Sequence, residues 1–152
     1  MTEFVEKNNP ALGDWSPCPY ARAARVSNMI DTMFTTVSEF SSVVRESLDR
    51  LQSRDVVVVC FDHNDIDPVE LQHWTSDMNR TLMPQDYVIL EDHPSAPEYV
   101  NGIKMNFGHC GLLVIQRLSK LNSAADKLKS QGYYNTWDRE AVDQVVSWRY
   151  ET

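Results

Sequence analysis

Lysine and arginine are scarce in this sequence. Only 14 of its 152 residues are Lys or Arg, against 22 Asp or Glu, for a net charge of −8. A surface that grips nucleic acid needs clustered cations to displace counterions from phosphates, and an anionic membrane surface needs the same. No two Lys or Arg are adjacent here, so neither partner is expected, while a neutral or cationic one is compatible with the charge. Long apolar runs are also missing. The longest, Val56 to Phe61 and Leu112 to Ile115, are far too short to span a bilayer, and Met1 to Lys7 contains no apolar signal-peptide core. The 3 cysteines, Cys18, Cys60 and Cys110, stand far apart without a CxxC, which gives no disulfide framework and fits a reducing, cytoplasmic setting. There is no GxGxxG after a strand, no phosphate-binding P-loop, no GxSxG and no EF-hand loop.

What is present is an ordinary globular composition, 42% apolar and 24% charged, at a length that suits one domain over residues 1–152. Thr2 to Asn8 reads as a short helix broken at Pro10, and Gly13 to Pro19 reads as loop. Ala21 to Thr36 reads as a helix followed by a strand ending near Thr36. Ser38 is placed as the N-cap of a helix whose stripe is Phe40, Val43, Val44, Leu48 and Leu51. Asp55 to Asp62 is a continuous β-branched run, the pattern of a strand covered on both faces. Asp67-Pro68-Val69-Glu70 carries the residues of a helix start, with Leu71, Trp74, Met78 and Leu82 as its buried stripe. Asp86 to Asp92 is the next strand.

Asp55 to Asp92 is therefore read as a parallel βαβ unit at the core of an α/β fold, a small sheet with helices packed on it. Leu112 to Ile115 could be a third buried strand. The spacing of Ile115, Leu118, Leu121, Ala125 and Leu128 favours instead one helix from about Cys110 to Ser130. A last helix, capped by Thr136, carries Ala141, Val145 and Trp148.

Both core strands end in Asp-His, as Asp62-His63 and Asp92-His93. In a parallel unit those ends share one sheet edge, the edge where open α/β sheets place their ligands. Two imidazoles and two carboxylates suit acid/base chemistry or a divalent metal, with Fe, Mn or Zn preferred to Ca. His63 and His93 are thus candidate catalytic groups or metal ligands, and Asp62 and Asp92 candidate ligands or orienting partners. The bland counterpart is that the Asp residues cap turns and the His residues are solvated. Gly108-His109-Cys110-Gly111 offers Cys110 as a nucleophile if a helix begins there, with His109 favouring the thiolate or joining the first cluster. Its counterpart is a glycine turn with a packed Cys.

Cys18 stands between Pro17 and Pro19, with Arg22 as a possible clamp for an anionic substrate. Cys18-Pro19-Tyr20 looks like the start of the glutaredoxin box, but Ala21 occupies the second cysteine's place. Taken together, Cys18-Pro19-Tyr20-Ala21, the helix–strand–helix–strand order and His93-Pro94 resemble a bacterial family of uncharacterised domains with a Cys-Pro-Phe-Ala box, over roughly Thr2 to Pro94. That resemblance implies an α/β fold and a site near Cys18 and His93, and nothing about substrate.

The expected function is a small-molecule enzyme with its site at the carboxyl edge of the sheet. The alternative is a non-catalytic partner subunit or binding protein, a homodimer among the options, using the aromatic stretch from Trp137 to Tyr150. A third reading is a thiol protein centred on Cys18.

Overall fold

The computed structural model describes residues 5–151; of the helix expected at residues 2–8, residues 2–4 lie outside it and residues 6–8 are not helical. Helix α1 (Ala21–Val26) leads into β1 (Ile30–Phe34). Then come α2 (Phe40–Arg50), β2 (Val56–Phe61), α3 (Pro68–Leu82) and β3 (Tyr87–Asp92). A hairpin of β4 (Tyr99–Val100) and β5 (Ile103–Lys104) follows. The chain closes with β6 (Gly111–Arg117), α4 (Leu118–Ser130) and α5 (Arg139–Val145). The fold is α/β, and the expected helix–strand pair at residues 21–36 is present.

The four-stranded sheet has the order β1-β2-β6-β3. β1 pairs parallel with β2, whereas β6 runs antiparallel to both β2 and β3. This corrects two expectations. β2 and β3 do point the same way, but they are not neighbours, because β6 lies between them. And Gly111–Arg117 is a strand, not the first turns of a helix from Cys110. The reason is burial: Leu112, Leu113 and Ile115 are at most 4% exposed on a central strand covered on both faces, so the run needs no alternation and mimics a buried helix. The helical spacing takes hold only from Leu118, with Ala125 and Leu128 buried.

One face of the sheet presents Val57, Val59, Phe61, Ile89, Leu113 and Ile115 to Phe40, Val43 and Val44 of α2 and Leu71 and Leu82 of α3. On the other, Val88 and Leu90 meet Leu118, Leu121 and Trp148. Gly111 is fixed by the first face, since a Cβ there would sit 2.2 Å from the Phe61 ring.

The start of α3 is as expected, with Asp67 accepting from Val69 N–H at 2.8 Å and Pro68 in the first turn. Other caps differ. Residues 37–39 form a short 3-10 turn, so α2 begins at Phe40 and Ser38 exchanges a hydrogen bond with Thr36 instead of capping it. Asp138, not Thr136, caps α5, accepting from Ala141 N–H at 2.7 Å. α4 has no side-chain cap of its own. Asp86, in a left-handed conformation just before β3, supplies one by accepting from Ser119 N–H and Oγ–H, both at 2.7 Å.

Asn79 does a similar service for β3. Its side chain, 5% exposed, accepts from Ile89 N–H and donates to Ile89 C=O, both at 2.9 Å. The edge strand thereby pairs locally with an amide from α3 in place of another strand. Asn79→Ala would orphan both buried backbone groups. The expected loss is about 2–4 kcal/mol in urea unfolding; a loss below about 0.5 kcal/mol would mean that the edge does not depend on this clamp.

Candidate functional site

β2 and β3 end, and β6 begins, on one edge of the sheet, which gathers Asp62, His63, Asp92, His93, His109 and Cys110 there. The two imidazoles do come together, their rings edge to face with centroids 5.7 Å apart. Their states differ sharply. His93 is 5% exposed. Its Nε2 lies 3.0 Å from His63 C=O and 2.8 Å from Ile66 C=O, and its Nδ1 accepts from Ser95 N–H at 3.0 Å. The Nε2–H tautomer satisfies all three contacts, and no ring nitrogen is left for a metal or a substrate. His63 is half-buried, and among the described residues its ring makes no hydrogen bond.

The carboxylates are committed too. Asp62 accepts from Asn64 N–H at 2.9 Å and Asn64 Nδ2–H at 3.0 Å. These bonds, the backbone one first, hold its carboxyl below the usual carboxylate range, and the neighbouring His63 adds to the effect. Asp92 accepts from Asn106 Nδ2–H at 2.6 Å and Phe107 N–H at 2.8 Å. Asn106, 6% exposed, also accepts from Glu98 N–H at 2.7 Å and donates to Ala96 C=O at 3.2 Å. Asp92 and Asn106 thus tie down the loop of residues 93–108. Nothing in the sequence marked Asn106, which is distant and polar. Asn79 was detectable, as a lone amide beside an apolar helical stripe.

The metal expectation gains no support here: among the described residues no three His, Cys, Asp or Glu side chains are arranged to hold an ion, and in the quartet Asp62, His63, Asp92 and His93 only the His63 side chain makes no hydrogen bond. His109 is exposed and stacks against Phe107 at 5.0 Å. Cys110 precedes a strand, so the helix dipole that would have lowered its pKa is absent. Burial first, then Cys60 and Asp92, push it up to about 12 instead.

The edge is crowded with negative charge. Glu91 is pushed above the usual carboxylate range, first by burial and further by Glu98 and Asp92. Glu98, exposed as a residue but with its carboxyl hemmed in, shifts the same way, first by burial and then by Asp92.

Cys18 and Arg22 sit in other company. Cys18 is exposed as a residue, yet crowding around its thiol is the first cause of a raised pKa; Glu6 raises it further, against the pull of the Tyr20 and Ala21 backbone. Its loop is anchored by Tyr133, whose hydroxyl donates to Pro17 C=O at 2.8 Å. Arg22 adds to the cationic field at Glu6, where Arg25 forms the ion pair at 2.7 Å. The neighbours of Cys18 (Glu6, Tyr133, Tyr134) and those of His93 (His63, Ile66, Ser95) have no member in common.

The aromatic C-terminus turns inward. Tyr133 is 2% exposed, Trp137 packs with Leu12, Val100 and Ala141, and Trp148 packs with Met83, Val88 and Leu118. Only Tyr150 is exposed, and it bonds to Asp126 at 2.8 Å. A shallow cavity of about 310 Å³, lined by Tyr20, Ser119, Lys120, Ser123, Ala124 and Lys127, runs along α4, which follows the far end of β6. No protein-family model, curated protein or solved structure matches the chain. No helix among the described residues is long and apolar enough to cross a membrane.

Two outcomes are expected. His93→Ala strips partners from two carbonyls and the Ser95 N–H, and should cost about 2–4 kcal/mol in urea unfolding. His63→Ala should cost under about 0.5 kcal/mol. Equal losses would contradict the division between them. The second concerns pH. The folded-state pKa of Glu91 lies above its ordinary value of 4.5, so the native state holds this proton more tightly. Its contribution to stability is present below that ordinary value and is lost as pH rises through the raised one. Glu91→Gln should therefore gain stability over the parent between pH 4 and pH 7; a gap that stays constant would overturn the assignment.

Proposed function

We propose that this chain is a small-molecule enzyme working at the carboxyl edge of β2 and β3, with His63 as its acid/base group. The observation that carries the reading is the contrast within the histidine pair. His93 spends both nitrogens on backbone groups and holds the loop after β3, while His63 rests against its ring with its own nitrogens free, beside an ionised Asp62. A base oriented by a fixed neighbour is what proton-transfer chemistry requires. Asp92 acts in this reading as a positioning residue, through Asn106 and the 93–108 loop. Asp62, Glu91, Asp92 and Glu98 favour a neutral or cationic substrate over a phosphorylated one.

Less supports the partner-subunit alternative, because Tyr133 is buried, Trp137 and Trp148 are partly buried against the core, and Tyr150 is the exposed aromatic of that stretch. The thiol alternative at Cys18 loses its activated thiolate. Arg22, facing Glu6, has no part in the proposed site.

The test is a ligand-observed NMR screen of neutral and cationic metabolites at pH 7, followed by titration of His63→Asn and Arg22→Ala. Ligands of this site should bind His63→Asn at least about tenfold more weakly, a difference of about 1.4 kcal/mol, and Arg22→Ala unchanged. They should also move the ring signals of His63. Ligands indifferent to His63, or binding only through Arg22, would sink the proposal.

A further inference from the structure

Cys60 belongs to an apolar strand, and the sheet register gives it a neighbour. β2 and β6 are antiparallel, with Cys60 opposite Leu112 and Phe61 opposite Gly111. Side chains alternate between faces, so Cys60 and Leu112 share a face, and Cys110, two residues before Leu112, falls on that face at the diagonal position. The Cys60 thiol lies close enough to Cys110 to oppose its ionisation. Both are free and partly exposed, so a small oxidant can reach them.

Diagonal Cα separations of roughly 7–8 Å slightly exceed the 4.4–6.8 Å that a disulfide spans. The difference can be met at Cys110, which lies just outside the ladder. Gly108, two residues earlier, has φ +86° and nothing within 4 Å of where a Cβ would be, so the approach to Cys110 has room to shift. Gly111 is pinned by Phe61, which confines that shift to the loop side.

We propose that Cys60 and Cys110 form a reversible intramolecular disulfide that fastens the start of β6, and the loop before it, to the end of β2. The oxidant is a low-molecular-weight disulfide. The Cys60 thiolate attacks one of its sulfurs, forming a mixed disulfide and expelling one small thiolate. Cys110 then gives up its proton and attacks the Cys60 sulfur, expelling the second small thiolate. The protein loses two electrons and two protons, the small disulfide gains both as two thiols, and a dithiol reverses the exchange. The order follows from surroundings. Burial, with Cys60 beside it, keeps Cys110 protonated, so the first attack falls to Cys60. Once Cys60 is bound in the mixed disulfide, its own opposition to ionising Cys110 is gone. The step does not depend on His63, so it can fail or hold independently of the enzymatic reading.

The experiment exposes the folded full chain to graded ratios of oxidised and reduced glutathione at pH 8 without oxygen. Acid quenching, alkylation and peptide mass spectrometry follow. The expected product is a Cys60–Cys110 cross-link, with Cys18 left alkylated or as a mixed disulfide. Dithiothreitol should reverse it, and Cys60→Ser and Cys110→Ser should each abolish it. Cys18→Ser and His63→Asn should form it within about twofold of the parent rate. Closing a loop of about 50 residues should raise the Tm by roughly 5 °C or more. Glutathione adducts at Cys60 and Cys110 with no cross-link between them would overturn the proposal. So would a cross-link that forms only in urea.

Discussion

The insertion of β6 between β2 and β3 is the constraint on which the rest of this structure depends. β2 and β3 run in the same direction with a helix between them, and each leaves its outgoing loop at one edge. A strand that fills the gap antiparallel must enter from that same edge. The chain after Asp92 therefore cannot travel far; it has to fold back within the 93–108 loop and present Gly111 directly over Phe61. A loop this constrained carries backbone groups that water cannot all reach, and those groups need partners.

The Asp-His strand ends supply them. Asp92 receives Asn106 and Phe107, Asn106 receives Glu98, and His93 bridges the loop after β2 to the loop after β3. The same residue types would suit a metal or a catalytic pair, and what separates the two uses is whether lone pairs and N–H groups remain free. Here three members of the quartet are spent on backbone or side-chain amides, and His63 is left over. A residue free of structural duty, held in place by residues that are not, is the arrangement in which substitution can change chemistry without changing fold.

How far the sequence could be read follows from the same constraint. The β-branched run at Val56–Phe61 and the Asp67-Pro68 helix start were legible because each signal is local: one is burial on both faces, the other a cap and a fixed φ. The meeting of His63 and His93 was legible because it needed only that both strands point one way. The partner of β2 was not, since Gly111–Arg117 lacks alternation for the very reason that it is central, and its apolar spacing runs on without a break into α4. With β6 misplaced, the nearness of Cys60 and Cys110 could not be seen, and the carboxylates were read as ligands or orienting partners, whereas Asp62 accepts from Asn64, and Asp92 from Asn106 and Phe107 in a loop whose return no periodicity encodes.

Charge distribution sharpens the contrast between the two ends of the sheet. At the edge where β6 enters, Asp92 disfavours ionising Glu91 and Glu98, Glu98 disfavours ionising Glu91, and none takes part in an ion pair among the described residues. At the edge where β6 leaves, Lys120 pairs with Asp55 at 2.7 Å and Lys127 lines the shallow cavity along α4. Unrelieved repulsion among partly buried carboxylates costs stability, and a fold that needed only to close a loop could use amides throughout, as Asn79 does at β3. The same negative field also bears on the thiols, since Asp92 raises the Cys110 pKa. In the proposed enzyme the same field would favour a cation at His63, and a cation bound there would ease both the carboxylate repulsion and the opposition to ionising Cys110.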